Sequence, residues 1–367
     1  MMTQAKFIVI GLTGLAAVGL WAVWQDEPAV KKETAVVNGT VSGGVEHRDS
    51  PAAPFSGGDY RSPEMPFVGD PHQPRITQEE YDTLLQRPLA ELWDEWPRML
   101  AELDGGDLAS YVAAVGHNLH RSGQPSDYAW IESQLRDSSL PLETRMAYAY
   151  LLEESATPEA TRILLDYLAW PQHEPALAES ALQSVGKISY TLIDGSRNVS
   201  VSPVLEETWS NSTSEMPPQA LAVLASSIAY LGTPDGVSAL IGAVQEAPAD
   251  ALPDQRAATA LNAIAEISGP DAVVPLTKAL SEPPSTDLFW SSAVGLLTIG
   301  NADAYWAVIP RLQTVRQISD EDFEAISYAV TGRRGISPEA EKVLLDLTRT
   351  QGFADARLGE LFSTPRE

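Results

Sequence analysis

PQALAVLASSIAYLGTPDGVSALIGAVQE, residues Pro218–Glu246, and DQRAATALNAIAEISGPDAVVPLTKALS, Asp254–Ser281, are two versions of one pattern. Each holds an apolar run with helical spacing, a short break, and a second such run. The break reads Gly232-Thr233-Pro234-Asp235 in the first and Ser268-Gly269-Pro270-Asp271 in the second. Its chemistry marks a helix–helix junction. A small residue closes one helix, Thr or Ser/Gly caps the next, Pro at the first helical position needs no N–H, and an acid in the first turn meets the helix dipole.

The same punctuation recurs at Ala156-Thr157-Pro158-Glu159, Gly300-Asn301-Ala302-Asp303 and Ile336-Ser337-Pro338-Glu339. From Pro158 the anchors follow at intervals of 76, 36, 32 and 36 residues. The first interval fits two units of ~38 residues, with the missing boundary expected near Gly186. Six residues after each anchor stand Leu164, Leu240, Leu276, Val308 and Leu344; ten after stand Leu168, Val244, Leu280, Leu312 and Thr348. Ile228, Ile264 and Leu296 lie six before the best three, and Leu231, Ile267 and Ile299 three before. Such a register predicts helix pairs that each bury a stripe against the next, an all-α solenoid.

These segments resemble HEAT repeats, closest to the short, phycobilin-lyase-like variety, including Pro275 in the second helix. Phe289–Val315 and Arg145–Trp170 are looser copies and Phe323–Thr350 the most degraded. The resemblance covers residues 140–350. It implies an α-solenoid that offers a surface to a protein partner and carries no catalytic signature. In that family the second helix of each unit lines the concave side, which points to Lys278, Trp306, Arg311 and Gln313 as protein-binding residues. The lyase-like branch leaves a second reading open, an enzyme acting on a prosthetic group of a client protein.

Upstream, Thr77-Gln78-Glu79-Glu80 reads as a capping box that opens the folded body at residue 76. Tyr81, Leu84, Leu85, Leu89, Leu92, Trp93 and Trp96 follow with helical spacing, interrupted at Pro88 and expected to end near Pro97. Asp107 is a candidate cap for a helix carrying Leu108, Tyr111, Val112, Val115 and Leu119. After Gly186 one unit departs from the pattern. Residues 189–216 are rich in Ser, Thr and Asn, Val199 and Val201 alternate, and the second helix is expected to be replaced by an insertion, a surface loop or a projecting binding element.

Residues 1–24 include FIVIGLTGLAAVGLWAVW, Phe7–Trp24, an uncharged apolar run. As a helix it would be ~27 Å long, close to a bilayer core. Lys6 before it and Asp26 and Glu27 after it orient a single transmembrane anchor with the N-terminus cytoplasmic and the bulk periplasmic or otherwise extracytoplasmic. The competing reading is a signal peptide cleaved after Ala17-Val18-Gly19, which would release a soluble solenoid. Residues 25–75 hold seven prolines and two Gly-Gly pairs without periodicity, and are expected to be a disordered linker reaching ~40 Å.

The chain of 367 residues is 44% apolar, enough for a sizeable core, and has no cysteine, which excludes disulfides, thiolate metal sites and cysteine nucleophiles. Its formal charge is −26, of which −24 falls on residues 76–367. That charge argues against a nucleic-acid partner and favours a basic protein through long-range attraction.

Chemistry-bearing motifs are sparse. His117 and His120 form H-x-x-H, with no third ligand at a diagnostic spacing and with Asn118 and Arg121 suggesting a solvated helix end. Asp104–Asp107 is a DGGD turn, and an EF-hand would need a glutamate where Val115 stands. Glu153-Glu154 and Asp320-Glu321-Asp322 read as helix-end charges, and Arg333-Arg334 as a solvated turn. Asn198 and Asn211 each head a glycosylation sequon. Nucleophile-elbow, phosphate-loop and dinucleotide motifs are absent from the sequence. No cofactor, metal or catalytic residue is expected.

Overall fold

The computed structural model describes residues 76–363 apart from 104, 191–195, 213–215, 248–253, 282–284 and 333–335. All described residues belong to one contact unit, Ser62–Glu367. The expected anchor at Phe7–Trp24 and the expected linker at 25–75 lie outside the described residues. No helix among the described residues is long and apolar enough to cross a membrane.

Among the described residues there are seventeen α-helices and no strand. In chain order they form eight pairs and a final helix. The first four pairs are α1 (Gln78–Gln86) with α2 (Leu89–Glu102), α3 (Gly105–Ser122) with α4 (Pro125–Arg136), α5 (Leu142–Ser155) with α6 (Pro158–Leu168), and α7 (Pro175–Tyr190) with α8 (Ser202–Ser210). Then come α9 (Pro218–Leu231) with α10 (Pro234–Glu246), α11 (Gln255–Ala265) with α12 (Val273–Ser281), α13 (Thr286–Ile299) with α14 (Ala302–Thr314), and α15 (Asp320–Thr331) with α16 (Pro338–Thr350). Helix α17 (Ala356–Ser363) closes the series.

Odd-numbered helices pack against odd-numbered ones from α1 through α17, and even against even from α4 through α16. This is a two-row helical-repeat array. One apolar cluster runs along it from Leu89 to Phe362, because no single pair can cover its own stripe. The repeat register holds in detail. Leu164, Leu240, Leu276, Val308 and Leu344 are buried, as are Ile228, Ile264 and Leu296.

The junctions obey the punctuation. Side-chain oxygens of Thr157, Thr233, Asn301 and Ser337 accept hydrogen bonds from the backbone N–H of Ala160, Gly236, Ala304 and Ala340, capping α6, α10, α14 and α16. Ala156, Gly232 and Gly300 end the preceding helices in the left-handed region, at φ of 48°, 63° and 51°. At Gly232 a side chain is barred twice over, because an added Cβ would also lie 2.8 Å from the Cα of Gly269 in the next junction. The Thr77–Glu80 capping box is formed in full.

Four expectations are corrected. Pro97 lies inside α2, which continues to Glu102. Proline forfeits one backbone hydrogen bond there, while buried Leu92 and Trp96 and the packed Met99 and Leu100 hold the helix to the core. Asp107 is not the cap of α3 but lies within its first turn. Helix α7 does not end at Gly186; buried Val185 and Ile188 carry its apolar stripe on to Tyr190. The second helix of that unit is present, as α8. It is short, and buried Val204, Leu205 and Trp209 seat it between α6 and α10 in the even row. The alternation of Val199 and Val201, which resembles a strand, belongs to a 3-10 turn leading into it.

Candidate protein-binding surface

Side-chain caps fix where α6, α10, α14 and α16 begin, a 3-10 turn at Pro270–Ala272 leads into α12, and the apolar six- and ten-residue steps fix which side enters the core. What remains outward is the position four after each anchor: Arg162, Ser238, Val274, Trp306 and Lys342, all exposed. Helices α12, α14 and α16 run side by side in one direction, as two contacts at their C-terminal ends show. The Arg311 guanidinium donates to Ser281 Oγ at 3.4 Å, and the Gln313 amide donates to the carbonyls of Leu347 and Gln351 at 3.0 and 2.6 Å. Equivalent positions on the three helices are therefore neighbours. Val274 is 77% exposed, Trp306 56% and Leu345 41%. Exposed apolar side chains on adjacent helices form the kind of patch that partners cover, and a tryptophan carries more burial energy than any other residue there.

Three of the four residues singled out from sequence share this face. Lys278, Trp306 and Arg311 are exposed on α12 and α14. Gln313 is the correction. It is buried, and its amide serves the last turn of α16, so it fastens two helices together and offers nothing to a partner. Val274, Lys342, Leu345 and Arg349 were missed. The first two could have been found from the four-residue step after each anchor, which already leads to Trp306.

The charge on this face is unlike that elsewhere. Fifteen Lys and Arg lie among the described residues, in a chain with a large acidic excess. Seven of them (Arg87, Arg98, Arg136, Arg145, Arg162, Lys187 and Arg357) form ion pairs. Arg197 and Arg256 lie over the rings of Tyr230 and Trp209. The other six have neither a carboxylate within ion-pair distance nor a ring beneath them among the described residues. Four of the six lie on the even helices α12, α14 and α16: Lys278, Arg311, Lys342 and Arg349, all exposed; a fifth, exposed Arg316, lies in the connection after α14. The sixth is Arg121.

The remaining polar motifs are spoken for within the odd row. His117 is buried, against the expectation of a solvated end. Its Nδ1 hydrogen-bonds the Tyr81 hydroxyl and its Nε2 lies 3.4 Å from the Glu154 carboxylate. His120 instead donates to the Ser155 carbonyl at 2.6 Å, so the two histidines do not converge. Asn118 is buried and donates to the carbonyls of Leu84 and Arg87. Glu153 sits between Lys187 and Ser184 at 2.9 and 2.8 Å, and burial raises its carboxyl above the ordinary value against the lowering pull of Lys187. Asn198 is buried and donates to the Ala156 carbonyl, which occupies the sequon's acceptor nitrogen. Asp320, Glu321 and Asp322 lie in the first turn of α15, facing its dipole. Arg333 and Arg334 lie outside the described residues. Among the described residues no three potential metal ligands come together.

A scan against protein-family models finds no match to this chain, and a search of curated proteins finds none either.

Proposed function

We propose that this chain is a membrane-tethered scaffold or accessory subunit. In this reading an acidic HEAT-like array is held at the extracytoplasmic face, and its even-helix surface binds another protein. The observation that carries the binding half is Trp306, more than half exposed, at the position equivalent to exposed Val274 on the neighbouring helix α12, with the cations Lys278 and Arg311 exposed on the same two helices. Exposed apolar side chains at equivalent positions of adjacent helices make a patch, and at an interface tryptophan is a frequent anchor. The tether half is supported by the apolar run Phe7–Trp24 and the proline-rich stretch behind it. The net charge of −26 draws a basic partner over distances greater than the contact itself.

The test is recovery of the full chain from its native membranes in mild detergent, wild type against Trp306→Ser combined with Arg311→Glu. The wild type resists carbonate and retains a stoichiometric partner, and the variant, equally folded, loses it. Equal partner retention by the two overturns the binding assignment. Carbonate-soluble chain beginning at Leu20 overturns the tether.

A further inference from the structure

The partner's contact segment has a chemistry of its own, and naming it rests on the binding assignment above. We propose that the face of α12, α14 and α16 seats an acidic segment bearing a large apolar side chain.

In a chain with 50 acidic and 24 basic residues, chance alone would leave exposed cations beside carboxylates. Outside this face the described cations do pair or stack, with Arg121 and Arg316 as the exceptions. On it they do not. In the C-terminal halves of the three helices Lys278, Arg311 and Arg349 stand without an ion pair among the described residues, and Asp346 is the described carboxylate among them. Of the other acids, Asp271 lies in the 3-10 turn ahead of α12, Asp303 in the first turn of α14, and Glu339 and Glu341 in the first turn of α16. Seven to ten residues separate them from these cations, about 10–15 Å along the axis. That is beyond the ~8 Å Debye length at physiological salt, so the two ends act as separate patches.

Helix dipoles account for a cation near a C-terminus, but not for three adjacent helices leaving theirs unpaired while Val274 and Trp306 lie exposed alongside. Unpaired guanidinium and ammonium groups beside a half-exposed indole form a complete recognition set. Carboxylates on the incoming segment meet the cations, bidentate at arginine, and its apolar residue covers Trp306. The long-range field and the local patch thus act at different distances. The field favours a partner that is basic as a whole, and the patch selects an acidic stretch within it.

Selection from a library of displayed random dodecapeptides on the full chain in detergent tests this. The expected winners carry Asp or Glu around Leu, Ile, Phe or Trp and lose binding to Trp306→Ser. They lose roughly tenfold or more in affinity on Lys278→Glu/Arg311→Glu and weaken from low salt to ~0.5 M. Winners that depend on Trp306 but are basic or uncharged, with affinity unmoved by the charge reversal, overturn this inference and leave the binding surface standing. Winners indifferent to Trp306→Ser, or none at all, overturn the surface itself. Binding to anionic phosphatidylglycerol vesicles through the same residues, without acidic winners, makes the face a lipid contact and also overturns the inference. Circular dichroism and melting of each variant confirm the fold, and Trp306→Phe, which keeps the ring, is expected to retain binding.

Discussion

The side-chain amide of Asn198 donates to the carbonyl oxygen of Ala156 at 2.6 Å, and its own oxygen accepts from Ser200. Ala156 ends α5 in the left-handed region, and its carbonyl takes its donor from a segment 42 residues on. The segment ahead of α8 is therefore not a free loop. It closes the junction of an earlier unit while its next turns place α8 in the even row.

Asn198→Ala leaves that buried carbonyl without its donor. A loss of about 1–3 kcal/mol is expected, the cost of one unsatisfied buried polar group. Denaturant unfolding measures it, and an unchanged midpoint would mean the contact is incidental.

Ala156→Gly and Gly232→Ala should act in opposite directions. At Ala156 the left-handed backbone strains an L side chain, and glycine relieves roughly 0.5–1 kcal/mol. At Gly232 alanine meets both that strain and the 2.8 Å approach to Gly269, so a loss of about 2 kcal/mol or more follows. Paired thermal melts check both signs.

The repeat seam can be broken at one residue. Leu276 is fully buried and lies beside Gly295 of the next odd helix. Leu276→Asp would bury an unpaired charge and should cost several kcal/mol. Unchanged melting would mean that the register is wrong.

Glu153 gives a pH signature. A carboxyl held above its ordinary value in the folded chain binds its proton more readily there than in the unfolded chain. Its contribution is therefore fully present below the ordinary value of 4.5 and is lost as the pH rises through the folded one. Glu153→Gln removes that dependence. Its stability relative to wild type should therefore be more favourable at about pH 7 than at about pH 4. Equal differences at both pH values would show that Lys187 fully offsets the burial.

Much of this fold was legible because helix junctions are local chemistry. Pro158, Pro234, Ala302 and Pro338 are the first residues of α6, α10, α14 and α16, and the buried positions follow by counting from them. The unread parts depend on contacts distant in sequence. Serine-rich α8 becomes helical because Trp209 and Leu205 have a core to enter. Pro97 sits within a helix that the core holds in place. Gln313 looks like a surface residue until α16 is laid across it. The candidate surface was half legible, since the step to Trp306 gives Val274 and Lys342 too. The unpaired state of the cations required knowing where the carboxylates lie.

The central claim is that the even-row face meets a protein, and a photo-crosslinking scan in cells tests it most directly. A photoreactive phenylalanine analogue is placed singly at Val274 and Trp306 on the even row, and at Gln183 and Asn262, exposed on odd helices α7 and α11. The account predicts one discrete adduct from the even-row positions, lost when Lys278→Glu/Arg311→Glu is added, and none from the odd. Adducts of equal yield from both rows, or from the odd row alone, would contradict it.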